Sequence, residues 1–230
     1  MERRGGRLVS GGRSSQVYLF CDSGERFFLK RYLYKKIHWN FCWQKSQVCR
    51  EYENLEKIRR CNLPCGVIEI LGWGEQRYFR TVIDAFLLSR ELAGGERLSL
   101  FLYDREDLRR QAVIKALVKL IEAIIDQGLA LTDLFFRNIM VVPETAELYL
   151  LDVQYCNHSK RRALSKSYPQ FWSNVLLFCT HEEQRQIEER LALRLAKKIH
   201  KVVERAHFFM PKERKRQQAE SKSLEGICAP

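Results

Sequence analysis

No stretch of this 230-residue chain reaches the roughly 18 uninterrupted apolar residues that a membrane-spanning helix needs. The N-terminus, MERRGGRLVSGG, carries the charge of a signal peptide but neither its apolar core nor its small-residue cleavage pattern. The sequence therefore reads as that of an intracellular protein. There is no CxxC pair among the eight cysteines, which are scattered through apolar contexts such as NFCWQ and LLFCT, so a disulfide framework is excluded. The closest two, Cys61 and Cys65 in CNLPC, have no second cysteine or histidine pair to complete a zinc site. No internal repeat and no nucleic-acid recognition module appears, and no nucleic-acid partner is expected. Acidic residues are in short supply, 28 against 40 lysines and arginines, a formal charge of +12. That excess points to an anionic partner.

What is present is a soluble, globular composition, 46% hydrophobic and 30% charged. QVYLF and RFFLK read as strands joined by a turn in CDSGE. SQVCREYENLEKIRR reads as a helix opened by Ser46, with Val48, Tyr52, Leu55 and Ile58 in one stripe. Glu51 falls toward that stripe and Glu53 away from it, so Glu51 points inward and requires a cationic partner. VIEILGW, RYFRTVI and AFLLSREL read as further strands. A helix is expected from Asp104 to Gln127, capped by Asp104 and closed by Gly128. Short strands in NIMVV and ELYLLD flank the turn PETA. A long helical segment runs from about Glu182 to His207, and the composition shifts near Pro211 to a basic tail, 211–230, expected to be unstructured. A β-rich part thus precedes an α-rich part, which predicts an α+β fold of two lobes around a cleft.

Two acids stand out in apolar text. LALTDLFFRNIMV holds Asp133 with Asn138 five residues later, and Asp152 closes ELYLLD, nineteen residues beyond Asp133. Both acids could be ordinary loop residues closing buried strands, but an acid at the end of an apolar strand is hard to explain by packing. Phosphoryl transfer has a use for such acids, because it requires a held nucleotide, metal ions and a positioned nucleophile rather than covalent help from the protein. Upstream, SGGRSSQVY offers a small glycine loop, and Lys30 ends the next strand with Glu51 available on the following helix.

Lys30, Glu51, Asp133, Asn138 and Asp152, in that order, resemble the protein-kinase fold: a small β-rich N-lobe over about 1–90 and a compact α-rich C-lobe over about 91–210. Within it, FLLSREL and DLFFRNIMV resemble most the bacterial lipopolysaccharide core kinases, which act on Kdo and heptose residues. The resemblance spans about Leu8 to His207. It implies an ATP-dependent kinase in which Lys30 orients the α and β phosphates and Glu51 fixes Lys30. It further implies that Asp133 acts on the acceptor hydroxyl, that Asn138 and Asp152 bind Mg²⁺, and that Gly11 and Gly12 let the backbone approach the phosphates. The implied acceptor is an anionic saccharide of the lipopolysaccharide inner core. Two departures bear on activity: Leu131-Thr132-Asp133 stands for the usual His-containing triplet, and Asp152-Val153-Gln154 for Asp-Phe-Gly. An atypical protein kinase of the RIO type and a nucleotide-binding pseudokinase are the alternatives.

The basic residues Lys160, Arg161, Arg162 and Lys166 follow Asp152 closely. Arg190, Arg194, Lys197, Lys198 and Lys201 share a helical segment with Leu191, Leu195 and Ile199. This pattern fits either a solvated surface or docking on anionic lipid. The second reading implies a cytoplasmic protein in peripheral contact with the inner face of the inner membrane.

Overall fold

Alternating aromatic and aliphatic residues in the first third of the chain produce hairpins, and hairpins make the first lobe. The computed structural model describes residues 6–12, 14–34, 45–103 and 108–225. Strands β1 (Arg7–Gly11), β2 (Ser15–Asp22), β3 (Glu25–Tyr32), β5 (Ile70–Tyr78) and β6 (Thr81–Arg90) form one antiparallel sheet in the order β1-β2-β3-β6-β5. Ser23 and Gly24, both at positive φ, make the tight β2–β3 turn. RYFRTVI, expected as one strand, is instead a hairpin. Phe79 and Arg80 turn the chain at φ 43° and 66°, and no Gly or Asn marks the place.

Helix α1 (Gln47–Arg60) follows its predicted limits, with the Ser46 hydroxyl accepting from the Cys49 N–H at 3.1 Å. Val48 of its inner stripe joins Tyr32, Val82, Ala85 and Leu87 in the small core beneath the sheet, with Tyr52 packed against it, while Leu55 and Ile58 reach into the large core of the second lobe. Before β5 and β6 complete the first sheet, the chain touches the second lobe through β4 (Gly66–Val67), parallel to β10 (Glu147–Leu150). A Cβ at Gly66 would lie 2.4 Å from the Tyr149 ring, so any larger residue there would have to displace that ring.

After β7 (Glu96–Arg97) and α2 (Leu98–Phe101), the next helix, α3 (Arg110–Asp126), begins six residues later than the pattern implied. Asp104, the expected cap, lies outside the described residues. Arg110 sets the start: its buried guanidinium donates to the carbonyls of Leu102 and Phe178 and pairs with Glu183 at 2.7 Å. Gly128, at φ 64°, ends the helix as expected.

Strands β8 (Leu129–Thr132), β9 (Ile139–Val142) and β11 (Tyr155–His158) follow, then α4 (Lys160–Arg162), α5 (Tyr168–Phe178), α6 (His181–Leu195) and α7 (Ile199–Glu225). β8 pairs with β11 and β9 with β10. The large core lies among α3, α5, α6, the start of α7 and these short strands.

Two expectations for the C-terminal part need correction. The single helix expected over 182–207 breaks at Ala196, which sits at φ 47°. Of the tail expected to be unstructured over 211–230, the described part is helical: α7 runs through Pro211 to Glu225, and 226–230 lie outside the described residues. Proline removes one helical hydrogen bond, but Phe209 and Glu213 on either side of it are docked against the protein. Tertiary contact thus carries the helix past its breaker.

Candidate active site

Antiparallel pairing sets Lys30 opposite Leu87 and Tyr32 opposite Ala85, on the same face of β3. That face looks toward α1. The amino group of Lys30 donates to both oxygens of Glu51, at 2.9 and 2.8 Å, and to Asp152 Oδ2 at 2.8 Å. A residue from each of β3, α1 and the segment after β10 thus meets around one half-buried cation. Glu51 is 4% exposed, as its place on the helix wheel required.

The electrostatics follow from this crowding. Burial disfavours charge on Lys30, but Asp152 and Glu51 more than offset it, so its pKa lies above the ordinary lysine value. Burial and then the Asp152 charge push Glu51 up to about 7, against the pull of Lys30. One cation shared by two carboxylates leaves room for further positive charge. Consistent with that, Asp152 Oδ1 is buried and has no hydrogen-bond partner among the described residues.

The second half of the site is framed by two strand pairs. β8 and β11 end together at Thr132 and Tyr155, and β9 and β10 meet at Ile139 and Leu150. The segments 133–138 and 151–154 between them therefore run side by side, and the Leu151 N–H donates to the Asn138 carbonyl at 3.0 Å. Asp133 sits at φ 66°, a conformation that aspartate tolerates better than most residues. Its carbonyl accepts from the Phe135 N–H at 2.7 Å and from Asn138 Nδ2 at 2.8 Å. With its amide nitrogen so employed, Asn138 has Oδ1 to offer. No cluster of three or more His, Cys, Asp or Glu suited to a metal exists among the described residues. Asn138 and Asp152 nevertheless suit Mg²⁺, which takes few protein oxygens and completes its shell with phosphate and water.

Gly11 and Gly12 close the β1–β2 turn, where the Gly12 N–H donates to the Ser15 carbonyl at 2.8 Å. A Cβ at either would meet nothing nearer than 3.7 Å, so the fold itself does not demand glycine there. Arg13 lies outside the described residues.

The protein lobes match a known family along most of their length. The sequence model of the lipopolysaccharide kinase (Kdo/WaaP) family matches residues 9–174. The chain belongs to that family. It is accordingly a kinase, a phosphotransferase. No curated protein sequence matches at a significant level. Among solved structures, one titled "WaaP in complex with acyl carrier protein" superposes with a TM-score of 0.59 at 14% identity, covering 94% of this chain and 90% of that one. At that identity the likeness establishes the two-lobed fold.

In this Kdo/WaaP family member, four polar residues that sequence reading passed over complete the site. Leu131, in place of the usual histidine, is fully buried, and the loop is braced from α5 instead. Gln170 Oε1 accepts from the Asp133 N–H at 2.9 Å, and Asn174 Oδ1 from the Phe136 N–H at 3.1 Å. Asn54, one turn after Glu51, donates to the Val153 carbonyl at 3.2 Å and so ties α1 to the segment that bears Asp152. The buried Tyr32 hydroxyl donates to Glu51 Oε2.

Tyr32→Phe keeps the ring and removes only that donor to a charged group. A cost of about 1.5–3 kcal/mol is expected, read as a Tm lowered by about 2–4 °C for each kcal/mol. An unchanged Tm in thermal unfolding would show that Glu51 does not depend on the hydroxyl.

Proposed function

We propose that this kinase transfers the γ-phosphoryl group of ATP to a hydroxyl of an anionic sugar, a residue of the lipopolysaccharide inner core. The observation that carries the reading is the bridge from Lys30 to Glu51 and Asp152 at once. It joins the two lobes at the place where a nucleotide phosphate needs a cation, and family membership supports the class of acceptor. In this reading Lys30, oriented by Glu51, binds the α and β phosphates, and Gly11 and Gly12 let the backbone close over them. Asp133 accepts the acceptor's hydroxyl proton, or orients the hydroxyl, as attack begins. Asn138 Oδ1 and Asp152 would hold Mg²⁺, which neutralises phosphate charge when bound with ATP.

The test is transfer of radiolabelled phosphate from Mg·ATP to purified inner-core saccharides, with a generic protein acceptor alongside. Label in the saccharide is expected. Label in the protein alone would favour a RIO-type activity, and nucleotide binding without either product would mean a pseudokinase.

The basic surface divides in two. Arg190 and Arg194 do not form a free cationic face, because they pair with Glu122 and Asp126 of α3 at 2.8–3.0 Å. Lys160, Arg161 and Arg162 are exposed in α4, just after β11, with the Arg162 guanidinium 3.9 Å over the Tyr155 ring. We assign to these three the encounter with an acceptor carried on an anionic membrane; no helix among the described residues is long and apolar enough to cross one. Exposed charges act over roughly a Debye length and are screened by salt. Changing all three to Ala should weaken sedimentation with anionic vesicles several-fold at low salt and leave acceptor-free ATP hydrolysis unchanged. Equal, salt-insensitive sedimentation of both proteins would return these charges to an ordinary solvated surface.

A further inference from the structure

Helix α7 lies wholly beyond the residues matched to the family, 9–174, yet its middle, at Phe209 and Glu213, reaches the loop that carries Asp133 and Asn138. Side chains along that loop diverge. Phe136 is fully buried, packed 5.7 Å from the ring of Phe171 and 5.9 Å from that of Phe178. Phe135 and Arg137 go the other way, to α7. The Phe135 ring lies 6.4 Å from that of Phe209, and the Arg137 guanidinium stacks 4.1 Å over Phe135. Arg137 then donates to Glu213, whose residue is 4% exposed, and the two form an ion pair.

Stability alone does not call for a buried ion pair at this position, since two well-packed apolar side chains commonly do as well or better. A charged, directional hydrogen bond contributes something packing lacks, a defined orientation of the chain that bears it. Arg137 directly precedes Asn138, and the loop begins with Asp133 at positive φ. Such a segment keeps its shape only when its surroundings over-determine it. Gln170 and Asn174 hold its backbone from α5, and Glu213 holds it from α7.

We propose that Glu213 is a positioning residue for phosphoryl transfer, acting through Arg137 to keep Asp133 and Asn138 in reacting geometry. The inference rests on the kinase reading of the site and adds to it a part of the chain outside the family-matched region. Small displacements of positioned groups cost up to about a hundredfold in rate.

The experiment compares the full-length protein, Glu213→Gln and the double variant Arg137→Met with Glu213→Met. It measures kcat and KM for ATP, Tm, and hydrogen exchange of the Phe136 and Asn138 amides, which donate to Asn174 and Phe135 respectively. Glu213→Gln is expected to lower kcat about tenfold or more, to leave KM for ATP within a few-fold, and to speed exchange at both amides. The double variant should regain Tm, having no unpaired buried charge, while kcat and loop protection stay low. Wild-type kcat and exchange in Glu213→Gln would overturn the proposal. So would recovery of kcat together with Tm in the double variant, which would make the pair merely structural. If the full-length protein phosphorylated no saccharide, the functional reading would fall and the exchange measurement would still decide this one: unaltered loop exchange in both variants overturns it.

Discussion

Asp152→Ala is expected to abolish the magnesium-dependent part of ATP binding and to lower turnover by about 10²–10³-fold or more, the scale of losing one preorganised electrostatic group at a reacting centre. Two facts about this carboxylate set the expectation. Oδ2 is held by Lys30 at 2.8 Å, and Oδ1 is buried with no hydrogen-bond partner among the described residues. An unpaired buried carboxylate oxygen is costly in the free protein, and a bound cation relieves that cost. The variant keeps the Lys30–Glu51 pair, so the metal-independent affinity for nucleotide should survive. Calorimetric titration with ATP, with and without Mg²⁺, separates the two. An unchanged Mg·ATP titration in Asp152→Ala would end the assignment of Asp152.

Asp133→Asn should eliminate most transfer to the sugar, about 10²–10⁴-fold in kcat, with ATP affinity held within about tenfold. The loop should keep its shape. The backbone of Asp133 is held at its N–H by Gln170 and at its carbonyl by Phe135 and Asn138, and asparagine has nearly the same shape and tolerates the same positive φ. The loss should therefore appear in kcat with Tm close to that of the parent, the pattern of a group acting only in the transition state. Retained turnover would place the base elsewhere.

Much of the site was legible because its signals are local. The helical period alone turned Glu51 inward, and the five-residue spacing set Asp133 and Asn138 at the two ends of one tight loop. Other features left little trace. The β5–β6 turn uses Phe79 and Arg80 at positive φ, residues with no turn preference, whose conformation is imposed by the pairing of the strands on either side. Pro211 reads as a helix terminator, and only the contacts of Phe209 and Glu213 show why α7 continues through it.

By itself the sequence determined that a β-rich part precedes an α-rich one and that an acid on α1 turns inward, since each depends on periodicity within a few turns of chain; the candidate site residues were proposed from their order along the chain and the resemblance it carries. Only the tertiary structure decided which groups hold them. Tyr32 meets Glu51 across 19 residues, Asn54 meets Val153 across 99, Gln170 meets Asp133 across 37 and Glu213 meets Arg137 across 76. A polar residue on an apolar face announces that it needs a partner, but the partner is chosen by which strands pair and which helices pack, and no local pattern encodes that choice.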